Sequence, residues 1–173
     1  MKIYTSYFYQ IRYFPKNLVP LSTCVWPPKY FGTPTSYFKD KRGVLCGLDI
    51  PPLKPGPSCN TLCAGKGCSK HPDSCEFLKK YYDQLTSLQF SSIIKSLQGL
   101  KERIEEGEKL QDVDFALMFY ETPSNPCSER RVIQNGLRKT EWKLKNGFLD
   151  LLVKLLYNND IKKRRRKCLS HIT

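Results

Sequence analysis

The run from Val113 to Tyr120, VDFALMFY, limits the fold of this chain more than any other stretch. Phe115 to Tyr120 offers water no polar face. An apolar run of strand length, rich in aromatic and branched side chains, is buried on both sides, which is the position of an inner strand in a parallel sheet. Glu121 stands at its end, and Thr122 to Pro126 holds two prolines, a serine and an asparagine, which is loop chemistry. Cys127 and Ser128 follow, then Val132, Ile133 and Leu137 at near-helical spacing, with Asn135-Gly136 as an expected left-handed stop. The unit reads strand, loop, helix. In open α/β sheets ligands sit at the carboxyl ends of strands, beside helix N-termini.

The rest of the chain supplies partners for such a strand. Lys2 to Ile11 reads as a first strand and Leu18 to Val25 as a second apolar run, closed by Trp26-Pro27-Pro28. Tyr30 to Arg42 shows no clear period, and Val44 to Leu48 fits either a short strand or a buried loop. Glu76 to Lys109 carries apolar residues at helical spacing, with a break into two helices expected at Gln89 to Ser91. The acidic cluster Glu102, Glu105, Glu106 and Glu108 reads as a solvated helix end. Thr140 to Leu144 alternates like a strand, and Phe148 to Tyr157 reads as a leucine-rich helix. The expected fold class is α/β: a small, mostly parallel sheet with helices on both faces. The expected organisation is one domain over residues 1–160, with a Cys-rich insertion at 49–75 and a basic tail at 161–173.

The net charge of +13, from 29 basic and 16 acidic residues, favours polyanionic partners such as nucleic acid or a phosphorylated small molecule. The run Lys162 to Lys167, KKRRRK, gives phosphate affinity without sequence information. Tyr4, Tyr7, Phe8, Tyr9, Tyr13 and Phe14 suit base stacking or a core equally in type, and a core is the commoner use. No stretch approaches the ~20 apolar residues of a membrane span, and the amino-terminal residues lack the apolar region of a signal peptide. A cytoplasmic location without membrane association is therefore expected, and eight cysteines in a reducing compartment point to metal or thiol chemistry before disulfides.

The insertion reads Cys59-x3-Cys63-x4-Cys68-x2-His71-x3-Cys75. Zinc takes four thiolate or imidazole ligands in a tetrahedron, so Cys59, Cys63, Cys68 and Cys75 form one ligand set, with His71 as the alternative fourth ligand. An iron–sulfur cluster, also held by four thiolates, is the other cofactor of that chemistry. A closed set of four leaves no open position, which makes the role structural. The second candidate site lies after the central strand. Glu121, Cys127 and Arg130 are the expected catalytic residues there, and Asn125, Ser128 and Arg131 the expected ligand contacts. A thiol at a helix N-terminus beside two arginines is biased towards thiolate, and a carboxylate at the strand end is placed to move a proton. No histidine accompanies them locally, which leaves a Cys-His nucleophile pair without support.

The segment LMFYETPSNPCSERRVI, with the opening IYTSYF and the run PLSTCVWPPKYF, resembles an uncharacterised α/β family of bacteria and phages, domain of unknown function four-eight-eight. The resemblance covers residues 2–31 and 77–144. In that family a strand ends in Cys-x-Glu, and six residues after the glutamate Cys-His-Arg opens a helix. Glu121 takes the place of the motif glutamate and Cys127 that of the second cysteine. Phe119 stands where the first cysteine falls, Ser128 replaces the histidine and Glu129 the arginine, with Arg130 one place later. The resemblance implies a fold and a site location rather than a reaction, and a host-cytoplasm location if the chain is phage-encoded. Two functions follow from the residues: an enzyme acting on a nucleotide or base at Glu121, Cys127 and Arg130, or a non-catalytic protein that holds a phosphorylated ligand, nucleic acid or host partner.

Overall fold

A computed structural model of the protein describes residues 1–60, 72–122 and 124–138. The expected strand at Thr140–Leu144, the helix at Phe148–Tyr157 and the basic tail lie outside the described residues. Three parallel strands form the sheet: β1 (Ile3–Tyr7), β2 (Leu18–Ser22) and β5 (Asp114–Phe119), in the order β1-β5-β2. Two shorter strands, β3 (Phe38–Lys39) and β4 (Leu45–Cys46), pair antiparallel beside it. Strand β5 is the inner strand, as its unbroken apolar run requires. Tyr4 pairs with Ala116 on one side of it and Pro20 pairs with Ala116 on the other.

Side chains of β5 alternate between two cores. Phe115, Leu117 and Phe119 face a large cluster built with α2 (Glu76–Thr86), α3 (Phe90–Glu108) and α4 (Arg130–Arg138). Ala116 and Met118 face a smaller cluster of Tyr4, Phe8, Ile11, Phe14, Cys24, Phe31, Val44 and Cys46. Among the described residues the long helices thus cover one face only. Among the described residues the other face is covered by a 3-10 helix (Phe8–Tyr13), by the loop after β2 and by the β3–β4 hairpin, so the architecture is a small parallel sheet flanked by helices. A four-residue helix, α1 (Pro57–Asn60), packs beside α2 at the start of the Cys-rich segment.

Four sequence expectations are corrected. The first strand stops at Tyr7, because the chain turns into the 3-10 helix and buries Phe8 and Ile11 under the sheet. Helix α4 begins at Arg130 rather than at Cys127; residues 124–129 form turns instead. Asn135 and Gly136 do not stop α4, which runs on to Arg138. Glycine is needed at 136 for closeness, not for a left-handed turn: a Cβ there would lie 2.3 Å from the Phe90 ring. The acidic end of α3 is also not merely solvated. A Glu105 carboxylate oxygen accepts the Val113 backbone N–H at 2.8 Å, which ties the helix to the entry of β5, and Glu108 pairs with Lys39 of the hairpin. Hydrogen bonding to Lys101 and to Val113 holds the Glu105 carboxyl below its ordinary range. The expected break between α2 and α3 is present, with Ser87 to Gln89 between them.

Candidate functional site at the carboxyl end of the central strand

Strand β5 delivers the chain to Tyr120 and Glu121 at the carboxyl edge of the sheet, where the loop after β2 arrives from one side. Thr23 closes that corner. Its backbone N–H and its hydroxyl both donate to the Met118 carbonyl, at 3.3 and 2.8 Å, and its side chain is buried. Cys24 follows, with its thiol directed at the same carbonyl at 3.7 Å.

The segment after Glu121 is a series of local turns, each fixed by a short polar side chain. Asn125 donates its backbone N–H to the Thr122 carbonyl, and its side-chain oxygen accepts the Cys127 N–H at 2.9 Å. Asparagine provides such turns because its side chain imitates a backbone carbonyl. Ser128 is buried, and its hydroxyl accepts the Arg130 N–H at 3.2 Å, satisfying a donor that the first helical turn leaves open. The Glu129 carbonyl then accepts the first intrahelical bonds, from Val132 and Ile133.

This arrangement gives each expected site residue a place. Glu121 is partly exposed at the strand end. Arg130 is only 4% exposed; its guanidinium lies 5.4 Å from the centre of the Phe119 ring and donates to the Glu121 carbonyl at 3.2 Å. It therefore fixes the backbone on which the Glu121 carboxylate stands. Arg131 is exposed on the outer side of α4 and donates to the Pro126 carbonyl. Cys127 is partly buried and packs against the large core cluster, while Asn125 shapes the turn before it.

Glu129 is the residue that sequence reasoning passed over, treating it only as a substitute for an arginine. Its Oε2 atom is enclosed and has no hydrogen-bond partner among the described residues. Burial, and secondarily the negative charge of Glu121, push the Glu129 carboxyl up to about 8. A carboxyl in that state keeps its proton at neutral pH, because the ionised form would be both desolvated and set against a like charge. Cys24 feels the same surroundings: burial first, then Glu129 and Glu121, raise its thiol to about 12. Tyr81, fully buried on α2 and donating its hydroxyl to the Leu53 carbonyl, is likewise pushed up by burial and by Glu129. The enclosed Glu129 carboxyl, the partly exposed Glu121 side chain and the Cys24 thiol thus lie around the end of the central strand. The available signal was the presence of two glutamates, 121 and 129, in one short strand-to-helix connection.

Of the expected metal ligands, Cys63, Cys68 and His71 lie outside the described residues. Cys59 and Cys75, which flank that segment, are buried in the same large core cluster, and the Cys59 thiol points to Gln84 Oε1 at 3.7 Å. Among the described residues no group of three or more metal-ligating side chains is assembled. No helix among the described residues is long and apolar enough to cross a membrane. Comparison of the chain with protein-family models, with curated proteins and with solved structures finds no match.

Proposed function

We propose that this chain is a nucleotide- or nucleic-acid-associated α/β protein that moves a proton on a nucleotide or its base at the carboxyl end of β5. The observation that carries this reading is the enclosed Glu129 carboxyl beside Glu121. Two carboxyls whose surroundings separate their affinities for protons make an acid and a base from one residue type. Glu129 is the proton donor and Glu121 the acceptor. Arg130 is a positioning residue, since it acts through the Glu121 backbone, and the chain's excess of positive charge supports a phosphorylated substrate. A panel of nucleosides and nucleotides incubated with the full chain tests this by chromatography. Turnover that falls above about pH 8 and drops ~100-fold or more in Glu129→Gln is the expected result. Turnover indifferent to that substitution would refute it.

A second reading, binding without catalysis, is favoured by the way the loop uses its polar groups. The Ser128 hydroxyl caps a helix, the Arg130 guanidinium lies on Phe119 and Cys127 packs on the core. Nucleotide affinity with no turnover at any pH would select it. In either reading we propose zinc, or an iron–sulfur cluster, on Cys59, Cys63, Cys68 and Cys75, with His71 in reserve, as a staple for the Cys-rich segment. Two of these thiols already enter the core together from its two ends. Elemental analysis under reducing conditions should find about one metal site per chain, and chelation should lower the melting temperature. Metal-free protein with unchanged melting would remove the staple.

A further inference from the structure

The sheet face that carries no long helix among the described residues has a cavity of about 470 Å³ that the carboxylate site does not use. Its walls come from three distant parts of the chain: Tyr9 and Arg12 from the 3-10 helix, Tyr30 and Phe31 from the loop after β2, and Phe38 and Arg42 from the hairpin. Tyr9 is 53% exposed, Tyr30 64% and Phe38 41%, so three aromatic rings meet water at one opening. Large apolar side chains gathered at a concave surface cost solvation and mark a binding site more often than isolated ones do.

The charges at this opening choose the occupant. The Arg12 guanidinium lies over the Tyr9 ring at 3.2 Å from its centre, held there by a bond from its Nε to the Tyr9 carbonyl. Among the described residues no carboxylate is within ion-pair distance of Arg12. Arg42 is held by Asp40, the acidic residue of the lining, and also donates to the Ile11 carbonyl at 2.7 Å. The Asp40 carboxyl stays ionised, kept below its usual range by hydrogen bonds from Arg42 and from the backbone of Val44 and Arg42, which outweigh its desolvation. The pair is therefore neutral. Exposed Lys29 and Lys41 stand next in sequence to the wall residues Tyr30 and Arg42, so cations outnumber carboxylates among the wall residues and their neighbours. Flat aromatic and guanidinium surfaces with surplus positive charge suit unpaired bases followed by phosphates. A proline-rich peptide would use the aromatic walls but gain nothing from the cations.

The walls are also built firmly. Gly47, at the end of the hairpin, has φ +99°, and a Cβ there would lie 2.8 Å from the Tyr37 Cα and 2.9 Å from the Thr33 carbonyl oxygen. The segment before Phe38 is thus pressed onto β4 in a way that only glycine permits. On the other side Phe8 meets Phe31 edge-on at 5.1 Å and Tyr120 at 5.4 Å, and Tyr120 donates its hydroxyl to the Trp26 carbonyl. A buried aromatic cluster therefore backs the cavity and reaches Tyr120, the residue that precedes Glu121.

We infer that this cavity is a base-stacking site for single-stranded nucleic acid, in which Tyr30 and Phe38 receive unpaired bases, and Arg12, held on the Tyr9 ring, and the neighbouring lysines receive the phosphates. The inference shares with the proposed function the nucleic-acid partner, but it does not depend on Glu121 or Glu129. Fluorescence anisotropy of labelled single-stranded and double-stranded oligonucleotides with the full chain, at about 0.2 M salt, tests it. Tyr30→Ala and Phe38→Ala should each weaken single-strand binding about tenfold or more and leave duplex binding unchanged, while Tyr30→Phe keeps the parent affinity. Equal losses on both nucleic acids, no loss on either, or binding of proline-rich peptides in place of single strands would overturn it. Single-strand affinity and nucleotide turnover are read separately, so a failure of the proton-transfer reading leaves this one standing, and the reverse.

Discussion

The two faces of the sheet solve the same burial problem in opposite ways. On one face α2, α3 and α4 place long apolar side chains over β5, and Phe115, Leu117 and Phe119 are completely buried there. On the other face a 3-10 helix, a loop and a two-stranded hairpin cover Ala116 and Met118. Ala116 is small, so short irregular segments can come close. Among the described residues seven large apolar side chains are exposed: Tyr9, Trp26, Tyr30, Tyr37, Phe38, Tyr120 and, on α2, Tyr82. Only the last belongs to an α-helix. A helix buries one continuous stripe and turns its polar side outward, whereas irregular segments have no period that sorts apolar from polar positions. The helical face buries its apolar side chains almost completely, and the irregular face leaves shaped apolar surface open to water.

That division predicts unequal costs for the same substitution. Phe115→Ala removes a fully buried ring from the helical face and should cost about 3–5 kcal/mol, read as a shift in the urea midpoint with unchanged slope. Phe38→Ala removes an exposed ring from the irregular face and should change stability by less than about 0.5 kcal/mol. Similar costs for the two would mean that the irregular face carries as much of the core as the helical one.

Much of this contrast was legible in the sequence, and the part that was not has a physical explanation. The inner position of β5 could be read because Phe115 to Tyr120 has no polar alternation, and the division of 76–109 into two helices could be read around Gln89. Gly136 was misread because the reason for it, the Phe90 ring 2.3 Å from where its Cβ would stand, is a contact between elements far apart in the chain. The turn at Phe8 was hidden for a similar reason: aromatic residues suit a strand and a packed 3-10 helix equally. Glu121 could be placed at the strand end from order alone. The burial of Glu129 could not, because it depends on the enclosure of one carboxyl oxygen. The cavity of Tyr9, Tyr30 and Phe38 draws on three segments, none of which has a period that announces it.

The next effect builds up gradually with pH. Glu129 holds its proton in the folded protein up to about pH 8, whereas an unfolded glutamate releases it near pH 4. Between those values the folded state binds more protons than the unfolded state, so the contribution of this group to stability falls as pH rises. Its slope approaches about 1.4 kcal/mol per pH unit inside that window and vanishes below it. Glutamine has the same shape and no proton to lose. Glu129→Gln should therefore match the parent near pH 4 and gain on it steadily up to pH 8, as measured by urea unfolding across the range. A constant difference between the two proteins would show that this carboxyl is already ionised in the fold, and the acid–base pair would be lost with it.

The smallest expected effect concerns the thiols, which sample both faces and the loop between them. Alkylation requires thiolate and access together. Cys24 and Cys46 belong to the core under the irregular face, and burial raises them to about 12 and about 11. Asp40 raises Cys46 further and Arg42 partly offsets it, so the ion pair at the cavity rim also affects the thiol beneath it. At pH 8 such thiols are ionised in roughly one molecule in a thousand or fewer. Cys127 sits in the turn before α4 and is only partly buried. Iodoacetamide at pH 8, followed by peptide mass mapping, should therefore label Cys127 well before Cys24 or Cys46. A saturating single-stranded oligonucleotide should leave the Cys127 rate unchanged while it occupies the cavity on the irregular face. Early labelling of Cys46 would mean that the hairpin opens readily and that this face is less firmly built than the contacts around Gly47 imply. Protection of Cys127 by the oligonucleotide would instead extend the nucleic-acid contact past Tyr120 to the carboxyl end of β5.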